Sequence, residues 1–444
     1  MNREQTGTLE GLMEEMVHPQ NWEEALRRVE RNGGAPGPDG MKAGALRAHL
    51  KEHGEVIRQR LLSGRYRPGP VRRKEIAKPD GGVRALGIPD VQDRFVQQLL
   101  LLVLEPRFEP AFSEHSHGFR RGRGTQSALA EAKRHAQTGR TWVVDMDITR
   151  FFDHVNHDIL MSKVGARIRD KRILCLIGAY LRAGTVMPDG VVVAGSDEGT
   201  PQGGPLSPLL ANIYLDELDK ELGKRGLAFC RYADDCNIYV SSEAAAQRVL
   251  EGMSRWITRR LKLQVNAKKS GTGRPWERKF LGMILTTTLV LCISPQSIGR
   301  FEDRVRRLWD ARQSLSSVQL RDQWKQYVTG WWGYYQHADD HRPVYRREGW
   351  IRRHMRKCYW QRWHGRRGRQ RALRRLGLPE SRVKAAASSR GAWRMAGSPT
   401  MHEALGNRTL SRYGYVMPSD LARQAELVSN RRMRKTARPV VWEP

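Results

Sequence analysis

Residues 229–240 read Phe-Cys-Arg-Tyr-Ala-Asp-Asp-Cys-Asn-Ile-Tyr-Val and constrain the chain more than any other stretch. Two runs able to form strands flank a pair of adjacent carboxylates, so a hairpin would carry Asp234 and Asp235 at its tip. Adjacent carboxylates repel, and such a pair is costly unless a cation neutralises it. Hard oxygen ligands at a strand turn suit Mg²⁺, which combines one or two carboxylates with substrate phosphates. The plainer alternative is a hairpin with a polar tip, since Asp is frequent in turns. The rest of the chain decides between them.

A third carboxylate is at hand in residues 141–153. Strand periodicity places Trp142, Val144, Met146 and Ile148 on one face and Asp145 and Asp147 on the other. A carboxylate at the end of a buried strand needs a partner or a metal. Residues 65–95 alternate basic and apolar side chains around a hairpin turn at Asp80-Gly81-Gly82, flanked by Lys78 and Arg84. Those two cations either reach one anion from two directions or line a solvated hairpin. An apolar helix over residues 95–104 stops near Pro106, and the cationic loop 118–124, with Arg120 and Arg123, suits a phosphate backbone. Pro201-Gln202-Gly203-Gly204 precedes a helix over about residues 209–222, where a glycine pair admits a ligand close to the backbone. Residues 244–261 read as a further helix, and Lys269 is a candidate proton donor or phosphate contact. The glycine-rich loop 32–40 has no following Lys-[Ser/Thr] pair and reads as a structural turn, not a P-loop.

At 444 residues the chain has room for two or three domains. Its formal charge of +31 is unevenly placed: residues 293–444 carry 33 basic against 12 acidic side chains, and 9 of the 13 Trp. Basic charge interleaved with aromatics suits a polyanion with stackable bases. The Trp are spread over several helical segments, which argues against a single membrane-surface stripe. No run is long enough to span a bilayer, and the first residues are not a signal peptide. Cys175, Cys230, Cys236, Cys292 and Cys358 lack paired spacing, which argues for a reducing compartment such as the cytoplasm. Beyond residue 293, three amphipathic faces define a helical bundle: Ile298, Phe301, Val305 and Leu308; Trp324, Tyr327, Val328 and Trp331; Trp350, Met355, Tyr359 and Trp363. Arg366, Arg367, Arg369, Arg371, Arg374 and Arg375 follow as a nearly solid cationic run, and residues 427–444 read as poorly ordered.

The order of these pieces is informative. Gly34-Ala35-Pro36-Gly37-Pro38-Asp39-Gly40 is followed by Leu86-Gly87-Ile88-Pro89-Asp90 with Asp93-Arg94, then Gly118-Phe119-Arg120, then Asp147-Ile148 with Phe151-Phe152-Asp153. Pro201–Gly204 runs on through Ala211-Asn212-Ile213-Tyr214-Leu215 to Tyr232-Ala233-Asp234-Asp235. Asn266 with Lys269-Ser270, Phe280-Leu281-Gly282 and Gly330-Trp331-Trp332-Gly333-Tyr334-Tyr335 complete the series. From about residue 20 to 420 the chain resembles the reverse transcriptase/maturase proteins encoded by bacterial group II introns.

That resemblance implies an α+β right-hand polymerase with an antiparallel palm sheet and a helical thumb, or X domain. Fingers and palm would occupy residues 1–292, including an extension over about 1–60; the thumb 293–380; and a basic extension 381–444. It implies an RNA-directed DNA polymerase that also binds group II intron RNA and assists its splicing and mobility. The partners would be an RNA template, a DNA or RNA primer and dNTPs. Asp147 and Asp234 would hold two Mg²⁺ ions, assisted by Asp235 and the Ile148 carbonyl. Lys78 and Arg84 would clamp the triphosphate, Phe152 would exclude a 2′-hydroxyl, and Gln202 and Gly203 would line the nucleotide site. Lys269 would protonate pyrophosphate, and Leu281 and Gly282 would grip the primer. Ala77, Ala85, Gly124 and Gln126 depart from the family pattern. No Cys/His cluster after residue 380 suggests an endonuclease. Two other readings remain open: a reverse transcriptase serving a host or defence task, and a splicing cofactor with vestigial polymerase activity.

Overall fold

The computed structural model describes residues 11–77 and 82–436, with side chains described through residue 427. Among these residues the chain divides into two compact units, one ending at Arg278 and the other starting at Lys279. Ten strands occur among the described residues: β1 (Val71–Ala77), β2 (Val83–Ile88), β3 (Trp142–Asp147), β4 (Thr185–Val186), β5 (Val192–Val193), β6 (Ala228–Tyr232), β7 (Asp235–Val240), β8 (Gly271–Gly273), β9 (Met283–Leu285) and β10 (Leu291–Ile293).

The central sheet of the first unit has the order β6-β7-β3-β8, and its neighbours are antiparallel throughout. The alternation read from residues 141–148 is the alternation observed. Val144, Met146 and Ile148 join the main core, while Asp145 and Asp147 are partly exposed. Helices cover the apolar side. Ser207–Lys224 contributes Leu210, Tyr214 and Leu218, and Glu243–Trp256 contributes Ala246 and Met253. Val91–Phe108 contributes Phe95, Leu99 and Val103, each wholly buried. Burying a side chain of that size stabilises the fold by about 1.5–3 kcal/mol. This last helix does not stop at Pro106 but continues to Phe108, with the Val103 carbonyl taken by the Arg107 guanidinium at 2.5 Å.

β1 and β2 form the expected antiparallel hairpin, in register from Arg72↔Ile88 to Ala77↔Val83; its turn, with Lys78, lies outside the described residues. Loop 32–40 is a clamped turn. Arg94 donates to the carbonyls of Gly33 and Ala35 at 3.0 Å each, and the Asp39 N–H donates to Asp90 Oδ1 at 3.0 Å.

The second unit is helical around a core of its own. The three predicted faces lie on Pro295–Leu308, Ser317–Tyr335 and Glu348–Arg362. The β9–β10 pair belongs with them, although the sequence reading put the boundary at 292/293. Asp339 N–H donates to the Leu291 carbonyl at 2.8 Å, and Ser294 N–H to that of Gly282 at 3.1 Å. Nor does packing divide the chain near residue 380, because Val383, Met401, Leu410 and Met417 enter the same core as Phe301 and Trp324. Helix Pro418–Thr436 carries regular backbone through residues 427–436, which the sequence reading left unstructured.

Candidate active site

The β6–β7 turn places Asp234 between the strands and Asp235 at the head of β7. In the ladder between β7 and β3, Asp235 sits directly opposite Asp147. Three carboxylates, one on β3, one on β7 and one in the turn that leads into β7, are thus brought to one end of the sheet. Burial pushes the Asp234 carboxyl above its ordinary value, the Asp147 charge adds to the rise, and Arg84 and Arg231 oppose it. Arg84, on β2, is the predicted phosphate clamp whose charge reaches this turn.

Two supports hold the carboxylates; the sequence reading assigns Arg231 no role and names Asn266 and Ser270 only as part of a motif. The first is Arg231, wholly buried. Its guanidinium donates twice to Asp219, at 2.6 Å each, once to Asn212 Oδ1 at 3.2 Å and once to Ser116 Oγ at 2.8 Å. The remaining bond goes to the Ala233 carbonyl at 2.8 Å, so the same side chain pins the residue before Asp234. Ala233 has φ +57°, a left-handed conformation uncommon for a residue with a Cβ. Gly118 fits beneath the turn because it has none: a Cβ there would lie 2.3 Å from the Ala233 nitrogen. The second support is the 266–270 turn. Asn266 Nδ2 donates to Asp147 Oδ1 at 3.2 Å, and the Asp147 N–H donates to Ser270 Oγ at 2.9 Å. Ile148, buried, bridges to Val265, while Lys269 is exposed on the same turn.

Among the described residues, the tight His/Cys/Glu groupings lie elsewhere, at His115, Glu131 and His135 and at His117, Glu131 and Cys230. His115 and His117 bond Glu131 at 2.7 and 2.5 Å. Burial would raise the Glu131 carboxyl, but those two bonds bring it well below its ordinary value. Glu131 is therefore satisfied within the protein. Asp147, Asp234 and Asp235 do not form a grouping of that tightness. What fits them to a cation is the donor set, hard carboxylate oxygens, and the raised Asp234 carboxyl, which a nearby positive charge would relieve.

Residues 76–285 match the family model for reverse transcriptase (RNA-dependent DNA polymerase), and residues 298–377 match the group II intron, maturase-specific domain. Protein YkfC of Escherichia coli (strain K12) is 33% identical over 302 residues, covering 59% of this chain and 79% of that protein. This chain belongs to the group II intron reverse transcriptase/maturase family. The group II intron-encoded protein LtrA of Lactococcus lactis subsp. cremoris is 38% identical over 206 residues, covering 46% of this chain and 34% of LtrA, so the match spans about a third of that relative. An uncharacterized 91 kDa protein in the cob intron of Schizosaccharomyces pombe is 40% identical over 166 residues, covering 37% of this chain and 20% of that protein. The family's enzymes depend on divalent metal ions.

In this reverse transcriptase/maturase, Phe152 is half-buried and lies edge-on to Phe151, ring centroids 5.2 Å apart. Its carbonyl accepts the Thr200 N–H at 2.7 Å, which ties it to the 199–204 loop. Gln202 accepts the Gly87 N–H at 2.9 Å through its carbonyl. Gly203 has φ +137°, and a Cβ there would lie 2.6 Å from the Gly87 oxygen. The loop is therefore fastened at Gly87 to β2, the strand that carries Arg84. Leu281 and Gly282 form a left-handed turn in the second unit; Tyr334 Oη donates to the Leu281 carbonyl at 3.0 Å and Ser297 Oγ to that of Gly282 at 2.9 Å.

Arg120 corrects the sequence reading. It is buried, donates to Glu109 at 2.8 Å and to the Ser116 carbonyl at 2.8 Å, and lies over the Phe112 ring, so its donors are committed inward and not to RNA. Arg123 donates to the Glu114 carbonyl. On the helix Gly365–Arg375, Arg366, Arg367, Arg371 and Arg375 are exposed, whereas Arg369 lies over the Trp360 ring and Arg374 pairs with Glu380 at 2.6 Å. No described helix is long and apolar enough to cross a membrane.

Proposed function

We propose that the chain copies RNA into DNA, extending a DNA or RNA primer with dNTPs, and that it binds group II intron RNA in the cytoplasm to assist splicing and mobility. The observation that carries the polymerase reading is the register that sets Asp147 opposite Asp235 beside the Asp234 turn. Asp147 and Asp234 would hold two Mg²⁺ ions, with Asp235 and the Ile148 carbonyl assisting. When bound, the ions supply charge stabilisation at the primer 3′-hydroxyl and at the leaving pyrophosphate. Asn266 and Ser270 fix the position of Asp147, and Arg231 fixes that of Asp234. Arg84, with Lys78, neutralises the triphosphate. Phe152 presents a ring edge where a ribose 2′-hydroxyl would sit. Gln202 and Gly203 line the base and sugar from the loop fastened on Gly87, and Lys269 offers a proton to pyrophosphate. Leu281 and Gly282 grip the primer. Residues 293–380 act as the thumb, with Arg366, Arg367, Arg371 and Arg375 on RNA.

The test is Asp234→Asn with Asp235→Asn. The double variant should lose Mg²⁺-dependent primer extension while retaining RNA affinity, measured by a gel-shift assay. Robust extension by it would remove the carboxylates from the chemistry.

A further inference from the structure

The turn that carries Phe152 is laced to the loop that carries Gln202 and Gly203. Thr200 N–H donates to the Phe152 carbonyl at 2.7 Å, Gly199 N–H to that of Val155 at 2.8 Å, and His157 N–H to that of Asp197 at 3.4 Å. An antiparallel bridge between Asn156 and Glu198 completes the pairing of residues 152–157 with 197–200.

One side chain crosses this lacing. His157 opens the helix His157–Gly165 and is buried, and its Nε2–H donates to the Gly199 carbonyl at 2.6 Å. A carbonyl only accepts, so this bond puts the hydrogen on Nε2. His157 Nδ1 is buried too and has no hydrogen-bond partner among the described residues. An unpaired ring nitrogen in the interior costs free energy, and an apolar side chain would fill the same space without that cost. What an apolar side chain could not do is hold Gly199.

That bond lies where two parts of the site meet. Gly199 is followed directly by Thr200, whose N–H holds the Phe152 carbonyl and whose hydroxyl donates to Ser207 Oγ at 3.2 Å. Ser207 Oγ in turn donates to the Pro201 carbonyl at 2.7 Å, just ahead of Gln202. Phe152 itself sits in a single 3₁₀ turn, Phe151–Asp153, entered through Arg150 at φ +43°. So short a turn makes few hydrogen bonds of its own, and the Thr200 bond is what fixes the Phe152 carbonyl.

We propose that His157 is a positioning residue for sugar selection. It holds Gly199, Gly199 sets Thr200, and Thr200 sets the backbone from which the Phe152 ring projects. The strictness with which a 2′-hydroxyl is refused therefore depends on a buried imidazole that does not itself meet the sugar. A misplacement of about 1 Å at an active site can change a rate by about a hundredfold, so a smaller drift of the ring suffices to alter the choice. The inference rests on the reading of Phe152 as the sugar gate.

The test measures kcat/KM for matched dNTP and rNTP pairs in the full chain carrying His157→Leu, His157→Gln or Phe152→Val, and in the double variant Phe152→Val with His157→Leu. Both substrates are read on one preparation, so a loss of folded protein lowers both rates and cancels in their ratio. His157→Leu removes the donor and should lower the preference for dNTP by about threefold to tenfold. His157→Gln, whose amide N–H stands where Nε2–H stood, should restore most of it. In the Phe152→Val background, His157→Leu should change the ratio little further, since the ring it positions is gone. Should the Leu variant not fold, His157→Asn replaces it; its amide stops short of Gly199, and the same drop is expected. An unchanged ratio in a Leu or Asn variant that extends with dNTPs overturns the proposal. So does a drop of equal size with and without the Phe152 ring, which would make His157 act by another route. A ratio unmoved by Phe152→Val overturns the gate reading and the proposal with it; a response to Phe152→Val with none to His157→Leu overturns the proposal alone.

Discussion

The proposed choice between deoxyribose and ribose turns on a single side chain, Phe152. Its ring is held by Phe151 on one side, and its carbonyl by Thr200. A substitution should therefore open space without moving the backbone. Phe152→Val should lower the ratio of kcat/KM for dNTP over rNTP by about tenfold or more, the range that small changes in an apolar pocket command. Steady-state incorporation of matched dNTP and rNTP pairs checks this; an unchanged ratio would make another residue the gate. Arg120 teaches the opposite lesson. Its neighbours in the sequence, Gly118 to Gly124, are cationic and glycine-rich, and nothing local reveals that Glu109, 11 positions upstream, folds back to bury it.

At the scale of the element, the β6–β7 hairpin is where sequence and structure agree most closely. Alternation and turn chemistry in residues 229–240 place both strands and the carboxylates between them. The same stretch could not reveal why the turn holds still. Arg231 looks like one more surface cation on a strongly basic chain; its partners Asp219 and Asn212 lie 12 and 19 residues upstream on a helix, and Ser116 lies 115 upstream in a loop. Asn266 and Ser270 were legible as motif residues, but their hydrogen bonds to Asp147 were not, since these cross more than a hundred residues. Removing one member of a buried ion pair strands the other charge. Arg231→Met should destabilise the first unit by about 3–5 kcal/mol, read from the denaturant midpoint of its unfolding transition. Asp219→Leu in that background should recover part of the loss by removing the stranded carboxylate.

Over the whole molecule, charge and packing follow different boundaries. Composition changes near residue 293, but the compact units part at 278/279, and β10 hydrogen-bonds to Asp339 in the loop between two of the helices that follow. A shift in charge marks where the surface changes partner, not where the core ends. The arginine run is likewise subdivided by structure. Replacing Arg366, Arg367, Arg371 and Arg375 with Gln should flatten the salt dependence of structured-RNA binding by up to about 3 to 4. Replacing Arg369 and Arg374, which already serve Trp360 and Glu380, should change that slope much less. Filter binding across a salt series distinguishes the two variants; equal slopes would mean the helix face does not touch RNA.

The position of β3, hydrogen-bonded to β7 on one side and β8 on the other, bears on how chains of this kind can change length. One residue inserted between Trp142 and Asp147 would shift the strand against both neighbours and exchange its apolar and carboxylate faces together. The short β4–β5 pair sits at the margin of its sheet, where an added residue displaces an exposed tip and little else. Variation in length should therefore accumulate around residues 187–191 and be purged from residues 142–147, whatever the RNA each descendant comes to serve.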